Sequence, residues 1–213
     1  MTTYELKQLF RSYADEPDSS FLSDADIELY LKMGYNRFRA MVNSVDEMRY
    51  ATQTDVSISG SKSITLSASG IDPETILSVA VLDGDSMPSL ELMPVSRPAE
   101  LFSVDRGRQV VRYHHIDGKL NFSGELSSTI RITYIPKSNI AWSTGSPGAA
   151  VDSLDMYHDL IVLLAYSNYS IRDGDPNQIL MMQLQERKME FQSFLMEGAV
   201  REQATVIDDP DWL

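Results

Sequence analysis

The sequence predicts an α+β protein: a four-helix core built from its two ends, with an antiparallel β module inserted between them. Three observations lead there. Apolar residues recur at helical spacing over residues 1–48 and again after residue 151. In between, the period drops to two and glycine and proline punctuate the chain. The returning helices and the tail after them also carry most of the net negative charge. The organisation read from this order is residues 1–48 as the N-terminal helices of the core and 49–140 as the inserted β module. Residues 141–200 are the C-terminal helices that complete the core, and 201–213 are an acidic tail. The order implies that the ends pack together and present the middle as a separate module.

The elements follow in turn. Over residues 3–14, Leu6, Leu9, Phe10 and Tyr13 form one helical stripe, and Pro17 marks the stop. Ser23 is the N-cap of a second helix, with Asp26 in its first turn, where a carboxylate meets the positive helix end. Ile27, Leu31, Phe38, Met41, Val42 and Val45 keep the spacing to about residue 46. Gly34 lies inside this helix at a cost of about 1 kcal/mol against alanine, which points to close packing against another helix. Val56-Ser57-Ile58-Ser59 and Ile64-Thr65-Leu66-Ser67 alternate as half-buried strands around a Gly60-Ser61 turn.

Leu77 to Leu82 is a denser apolar run, expected to be a buried strand closed by Asp83-Gly84-Asp85. Pro98 to Phe102 reads as a helical turn. Val110–Tyr113 and Leu120–Phe122 flank Asp117-Gly118, a strong hairpin signal. Ile130 to Ile135 alternates again and ends at Pro136. Residues 137–150, rich in Ser, Gly, Pro and Ala, connect to the most apolar helix, Leu154 to about Asp173. Gly174-Asp175-Pro176 breaks it. Asn177 then caps a last long helix striped by Leu180, Leu184, Phe191, Phe194 and Leu195.

Composition narrows the function classes. The chain is 43% hydrophobic and 23% charged, ordinary for a globular protein and incompatible with wholesale disorder. A net charge of −13 argues against a general nucleic-acid binder and against an anionic membrane surface. The charge is uneven: −4 over residues 1–48, −1 over 49–150 and −8 over 151–213. With no cysteine, disulfides, thiolate metal sites and cysteine nucleophiles are excluded. The opening residues do not read as a signal peptide. The longest apolar run, Leu160 to Tyr166, is far short of the roughly 20 residues that span a bilayer.

No catalytic motif competes with this layout. His114 and His115 are adjacent on a strand and point to opposite faces, so they do not share one metal easily. His158 and Asp159 are helix neighbours that do not face each other; a surface or hydrogen-bonded histidine is the better reading. The acidic pairs lie in turns and caps, where Asp serves backbone geometry. Phosphate-loop, dinucleotide and nucleophile-elbow motifs do not occur. The expectation is a non-enzymatic protein with no cofactor. Met181, Met182, Met189 and Met196 of the last helix read first as core filling and second as an adaptable binding face. The tail Asp208-Asp209-Pro210-Asp211-Trp212-Leu213 has two readings. One is a solvated terminus. The other is a docking peptide whose Trp212 and Leu213 fill a pocket while Asp208, Asp209 and Asp211 meet basic residues.

Four stretches, taken in order, resemble the head–tail connector (adaptor) proteins of tailed bacteriophages. The first is Leu6-x-x-Leu9-Phe10, Asp15-Glu16-Pro17 and Phe21-Leu22-Ser23-Asp24-Ala25-Asp26-Ile27 with Tyr30-Leu31. The second is Tyr113 followed by Gly118-x-Leu120-x-Phe122, and the third is Ile130-x-Ile132-x-Tyr134-x-Pro136. The fourth is Tyr157-His158-Asp159-Leu160-Ile161 through Ala165-Tyr166. Together they span nearly the whole chain, and their order carries the resemblance more than any one of them.

The resemblance implies a homo-oligomeric ring, commonly of twelve copies, beneath the portal of a DNA-filled capsid. Its partners would be the portal protein and the next tail or stopper protein. Packaged DNA would pass through without specific binding. The location implied is the virion head–tail interface, after synthesis in the host cytoplasm. The C-terminal segment would reach the portal. A channel that conducts DNA should repel it, so the acids Asp152, Asp155, Glu186, Glu190, Glu197 and Glu202 are candidates to line or border the lumen. The alternative is a β-sandwich binding module on a helical stalk, such as a tail accessory or receptor-binding protein. A third reading is an unfamiliar hydrolase using turn carboxylates.

Overall fold

A computed structural model describes residues 1–15, 22–84, 86–102, 111–142, 148–173 and 177–207. The protein is a mixed α/β chain. Among the described residues it has four α-helices and two four-stranded sheets rich in antiparallel pairing. It divides into two compact units, Met1–Arg49 with Ser138–Leu213, and Tyr50–Lys137.

In the first unit, α1 (Thr3–Ala14) starts at a capping box. The Thr2 hydroxyl accepts from Glu5 N, and the Glu5 carboxylate accepts from Thr2 N at 2.7 Å. Its Leu6 and Phe10 are fully buried. α2 (Asp24–Asn43) begins at Ser23, whose hydroxyl accepts from Asp26 N as expected, and it ends slightly early, with Ser44 as C-cap. The most apolar helix, α3 (His158–Asp173), follows a short 3-10 turn over Asp155–Tyr157. α1, α2 and α4 (Gln178–Ile207) each pack on it. Asn177 Oδ1 accepts from Ile179 N at 3.0 Å and caps α4. Aromatic rings join the helices: Phe38 of α2 stacks on Phe191 of α4 at 4.7 Å, and Phe10, Tyr30 and Tyr169 meet near 6 Å.

Gly34 sits where α2 crosses α3. A Cβ there would stand 2.9 Å from Ala165 N, 3.1 Å from Ala165 Cβ, and closer still to the Ile161 carbonyl oxygen. The close approach read from the sequence is therefore a backbone-on-backbone contact.

An ion-pair cluster that local sequence patterns do not reveal ties α1 to α2. The side chains of Lys7 and Arg11 are each only 8% exposed, and both reach Asp24 at the start of α2. Lys7 also pairs with Glu28 at 3.0 Å. The Arg11 guanidinium beside it holds the Asp24 carboxyl below the ordinary carboxylate range, with Lys7 adding to the effect against the opposing cost of burial. A carboxyl depressed in the folded state contributes stability above its unfolded pKa and loses that contribution as pH falls through the folded value. Asp24→Asn is therefore expected to lower the urea midpoint at neutral pH, with the gap to the parent narrowing well below pH ~4. A gap independent of pH would show that the carboxylate charge is not what matters.

The second unit holds β1 (Thr52–Ser57), β2 (Ser61–Thr65), β3 (Pro73–Leu82), β4 (Pro88–Glu91), β5 (Met93–Pro94), β6 (Arg112–Ile116), β7 (Lys119–Leu126) and β8 (Thr129–Pro136). One sheet has the order β1-β8-β3-β4 and the other β2-β7-β6-β5. Leu66, Ile71, Val79, Tyr113, Leu120, Phe122, Ile130 and Ile132 share one apolar core drawn from both sheets. The β6–β7 hairpin turns at Asp117 (φ 51°) and Gly118 (φ 70°), two left-handed residues in the arrangement that matches strand twist. The helical turn over Pro98–Phe102 is present as a 3-10 turn.

Two features depart from the sequence reading. The strands on either side of Gly60-Ser61 do not pair with each other. β1 pairs with β8, and β2 with β7, so the turn hands the chain from one sheet to the other. The module is also not wholly antiparallel, because β5 pairs with β6 in parallel over two residues. β4 and β5 carry no alternation to read. They are short and exposed, and β4 begins at Pro88 while β5 ends at Pro94, as suits sheet edges.

Candidate functional site

Charge singles out the acidic C-terminal helices, and their side chains divide into three groups. The first group surrounds His158, which is fully buried at the start of α3. Its Nε2 lies 2.6 Å from Asp152 Oδ1, and its Nδ1 lies 3.0 Å from the Met1 ammonium. A carboxylate only accepts, so Nε2 donates to Asp152, while Nδ1 also has Asp155 Oδ1 at 3.3 Å. Asp152 also accepts from Leu154 N at 2.8 Å, and its side chain is 10% exposed. The edge of the ring meets Phe38 of α2.

This geometry corrects one candidate. Asp152 is turned inward and engaged with a buried histidine, so it is not a solvent-facing acid. The reason is the irregular backbone over residues 152–157, which brings a side chain six residues before His158 back onto its ring. Asp155 is 73% exposed and pairs with the Met1 ammonium at 2.5 Å. That ammonium holds the Asp155 carboxyl below the ordinary range.

The second group centres on Arg187 of α4. Its guanidinium makes a bidentate pair with Asp159 at 2.7 and 2.8 Å, and it bonds Glu190 at 2.6 Å and the Met156 carbonyl at 2.9 Å. It also lies over the Tyr157 ring. The two carboxylates raise its already high pKa, so it stays charged throughout the working range. Arg187 thereby fastens α4 to the start of α3 and neutralises part of the local acidity.

The third group is the outer surface of α4. Glu186, Glu190 and Glu197 are exposed and, at spacings of four and seven, share one flank of the helix. Among the described residues Glu186 and Glu197 form no ion pair. The side chain of Glu202 lies outside the described residues, as do Asp208, Asp209, Asp211, Trp212 and Leu213 of the expected docking tail.

Three of the four methionines overturn the core-filling expectation, while Met181 is half-buried. Met182, Met189 and Met196 are 74%, 63% and 57% exposed, while Leu184, Phe191 and Leu195 fill the core from the opposite side of α4. Periodicity places the three on one face, and that face looks outward.

Of the remaining candidates, His114 is buried and its Nδ1 contacts the Val95 carbonyl at 3.1 Å, whereas His115 is exposed. Among the described residues no cluster of three or more metal-ligating side chains is assembled, and no helix is long and apolar enough to cross a membrane. No protein-family model matches this chain, and no curated protein matches it.

Proposed function

We propose that this chain is a non-enzymatic subunit of a head–tail connector ring in a tailed bacteriophage. It would join portal to tail and let packaged DNA pass. The observation that carries the reading is the interrupted helical unit. Met1–Arg49 and Ser138–Leu213 form one compact body, and an 88-residue β unit, Tyr50–Lys137, is inserted between them. This matches the segment order on which the resemblance rests. In this reading the helices act together as a four-helix core that builds the ring, the β unit meets the next tail protein, and residues 208–213 dock on the portal.

The exposed acids Asp155, Glu186, Glu190 and Glu197, with Glu202, are proposed to line or border the lumen. A surface of that sign repels phosphate within about 8–10 Å at physiological salt, so a duplex would slide without sticking.

Native mass measurement tests the reading. A closed ring, twelve copies in the expected case, formed alone or on addition of a portal, is the predicted result. The same assay on a chain ending at residue 207 should lose portal binding if the tail docks there. A stable monomer or trimer that ignores the portal would overturn the connector reading.

One observation favours the alternative, a binding module on a helical stalk. One face of the β1-β8-β3-β4 sheet carries an open groove of mixed lining, with Gln53, Ser78, Glu91, Arg131 and Thr133 beside the apolar Ala80 and Pro88. Its floor is stiffened by the bidentate Arg131–Asp55 pair at 2.8 and 2.9 Å. Polar groups beside apolar surface are suited to sugars, which offer hydroxyls and C–H faces together, and glycan binding by a non-assembling chain would select this reading.

A further inference from the structure

The methionine stripe of α4 needs an occupant, and the exposed side of α2 supplies matching chemistry. Met182, Met189 and Met196 are spaced by seven residues, two helical turns, which sets them in line at intervals of about 10.5 Å. All three are more than half exposed. Methionine is flexible and polarisable, and it packs well against imperfectly matched surfaces. Glu186 and Glu197 flank the stripe on one side.

On α2, Leu29 and Met33 are likewise exposed, at 57% and 40%. They are accompanied on the same face by Lys32 and Arg37, both exposed. Among the described residues, neither of these cations forms an ion pair. One helix thus offers apolar side chains bordered by carboxylates, and the other offers apolar side chains bordered by cations.

We infer that the Met182/Met189/Met196 face of one copy packs on the Leu29/Met33 face of a second copy, with Glu186 and Glu197 meeting Lys32 and Arg37. Pairing α4 with α4 would set like carboxylates against each other, and pairing α2 with α2 would do the same with cations. An acidic membrane surface would repel the α4 flank. The contact is taken as head-to-tail: each copy uses one face and leaves the other free, so the association continues until it closes as a ring or grows as a filament, and a double variant that stops at dimer, as a reciprocal pair would, overturns it. The inference deepens the ring reading but moves Glu186 and Glu197 from the lumen into the seam between copies, and it stands on a separate observation, the charge and apolar match between two helices.

The absence of native cysteine gives a clean test. Met33→Cys and Met189→Cys variants of the full chain are prepared singly and together, then treated with a short bis-maleimide cross-linker at high protein concentration. The double variant should yield a ladder of covalent dimers and higher species. A mixture of the two single variants should stop at dimer, and each single variant alone should remain monomeric on a denaturing gel. Cross-linking of either single variant alone would mean that a helix pairs with its own counterpart and would overturn the inference. So would the absence of cross-links in chains that circular dichroism finds folded. A closed ring by mass without a link between positions 33 and 189 would leave the connector reading standing and remove this contact. A ladder without a ring or portal binding would do the reverse.

Discussion

Replacing Gly34 with alanine is expected to destabilise the helical unit by about 2 kcal/mol, although alanine is the better helix former by about 1 kcal/mol. The sign is decided by what the new methyl group meets. It would stand against the Ile161 carbonyl, 2.9 Å from Ala165 N and 3.1 Å from Ala165 Cβ. Two of these three neighbours are backbone atoms of α3, which rotamer changes cannot move aside. Relief requires α2 to lift away from α3, and that separation loosens the contacts of Phe38, Ile161 and Ala165, all fully buried. Gly34→Val should be worse, because a β-branched side chain adds bulk at the same crossing. Urea unfolding followed by far-ultraviolet circular dichroism, which weights the helices, checks this. A midpoint equal to or above the parent's would show that the helices separate freely and that the crossing is not a tight one.

Gly34 also marks how far the sequence can be read. A glycine in a helix that otherwise keeps its apolar stripe has a local cost, and that cost announces a close neighbour. Ser23, Asn177 and Asp117-Gly118 are legible for the same reason, since caps and primed turns draw on chemistry within a few residues. What the sequence hides is non-local. Alternation around Gly60 marks two strands but not their partners, and those partners, β8 and β7, lie dozens of residues away in separate sheets. Lys7, Arg11 and Asp24 give no local hint that two buried cations share a partly exposed carboxylate, because the pairs join different helices. The methionines of α4 show a third limit. Helical spacing reveals which residues share a face, and it is silent on whether that face looks inward. The core stripe of Leu184, Phe191 and Leu195 is the needed clue, since one helix of a small unit seldom buries two opposite faces.

Asp152 is where the sequence reading and the geometry part most sharply, and the two make different predictions. A lumen-lining carboxylate would be dispensable for folding, so Asp152→Ala and Asp152→Asn would both leave stability unchanged while altering the passage of DNA. The buried contact with His158 predicts otherwise. Asp152→Ala strips the acceptor from an Nε2–H that is fully enclosed and also frees the Leu154 N–H. Each buried donor left without an acceptor costs about 1–3 kcal/mol, because it has no water to turn to. Asp152→Asn keeps an oxygen in the acceptor position and gives up only the charge, so its cost should be about 1 kcal/mol. The expected order is therefore alanine far below asparagine, with asparagine slightly below the parent, in thermal or urea unfolding at neutral pH. Equal stability of all three would return Asp152 to the surface acids. The predicted order would make it the anchor that fixes where α3 begins, and with it the position of Asp159, on which Arg187 and the outer helix depend.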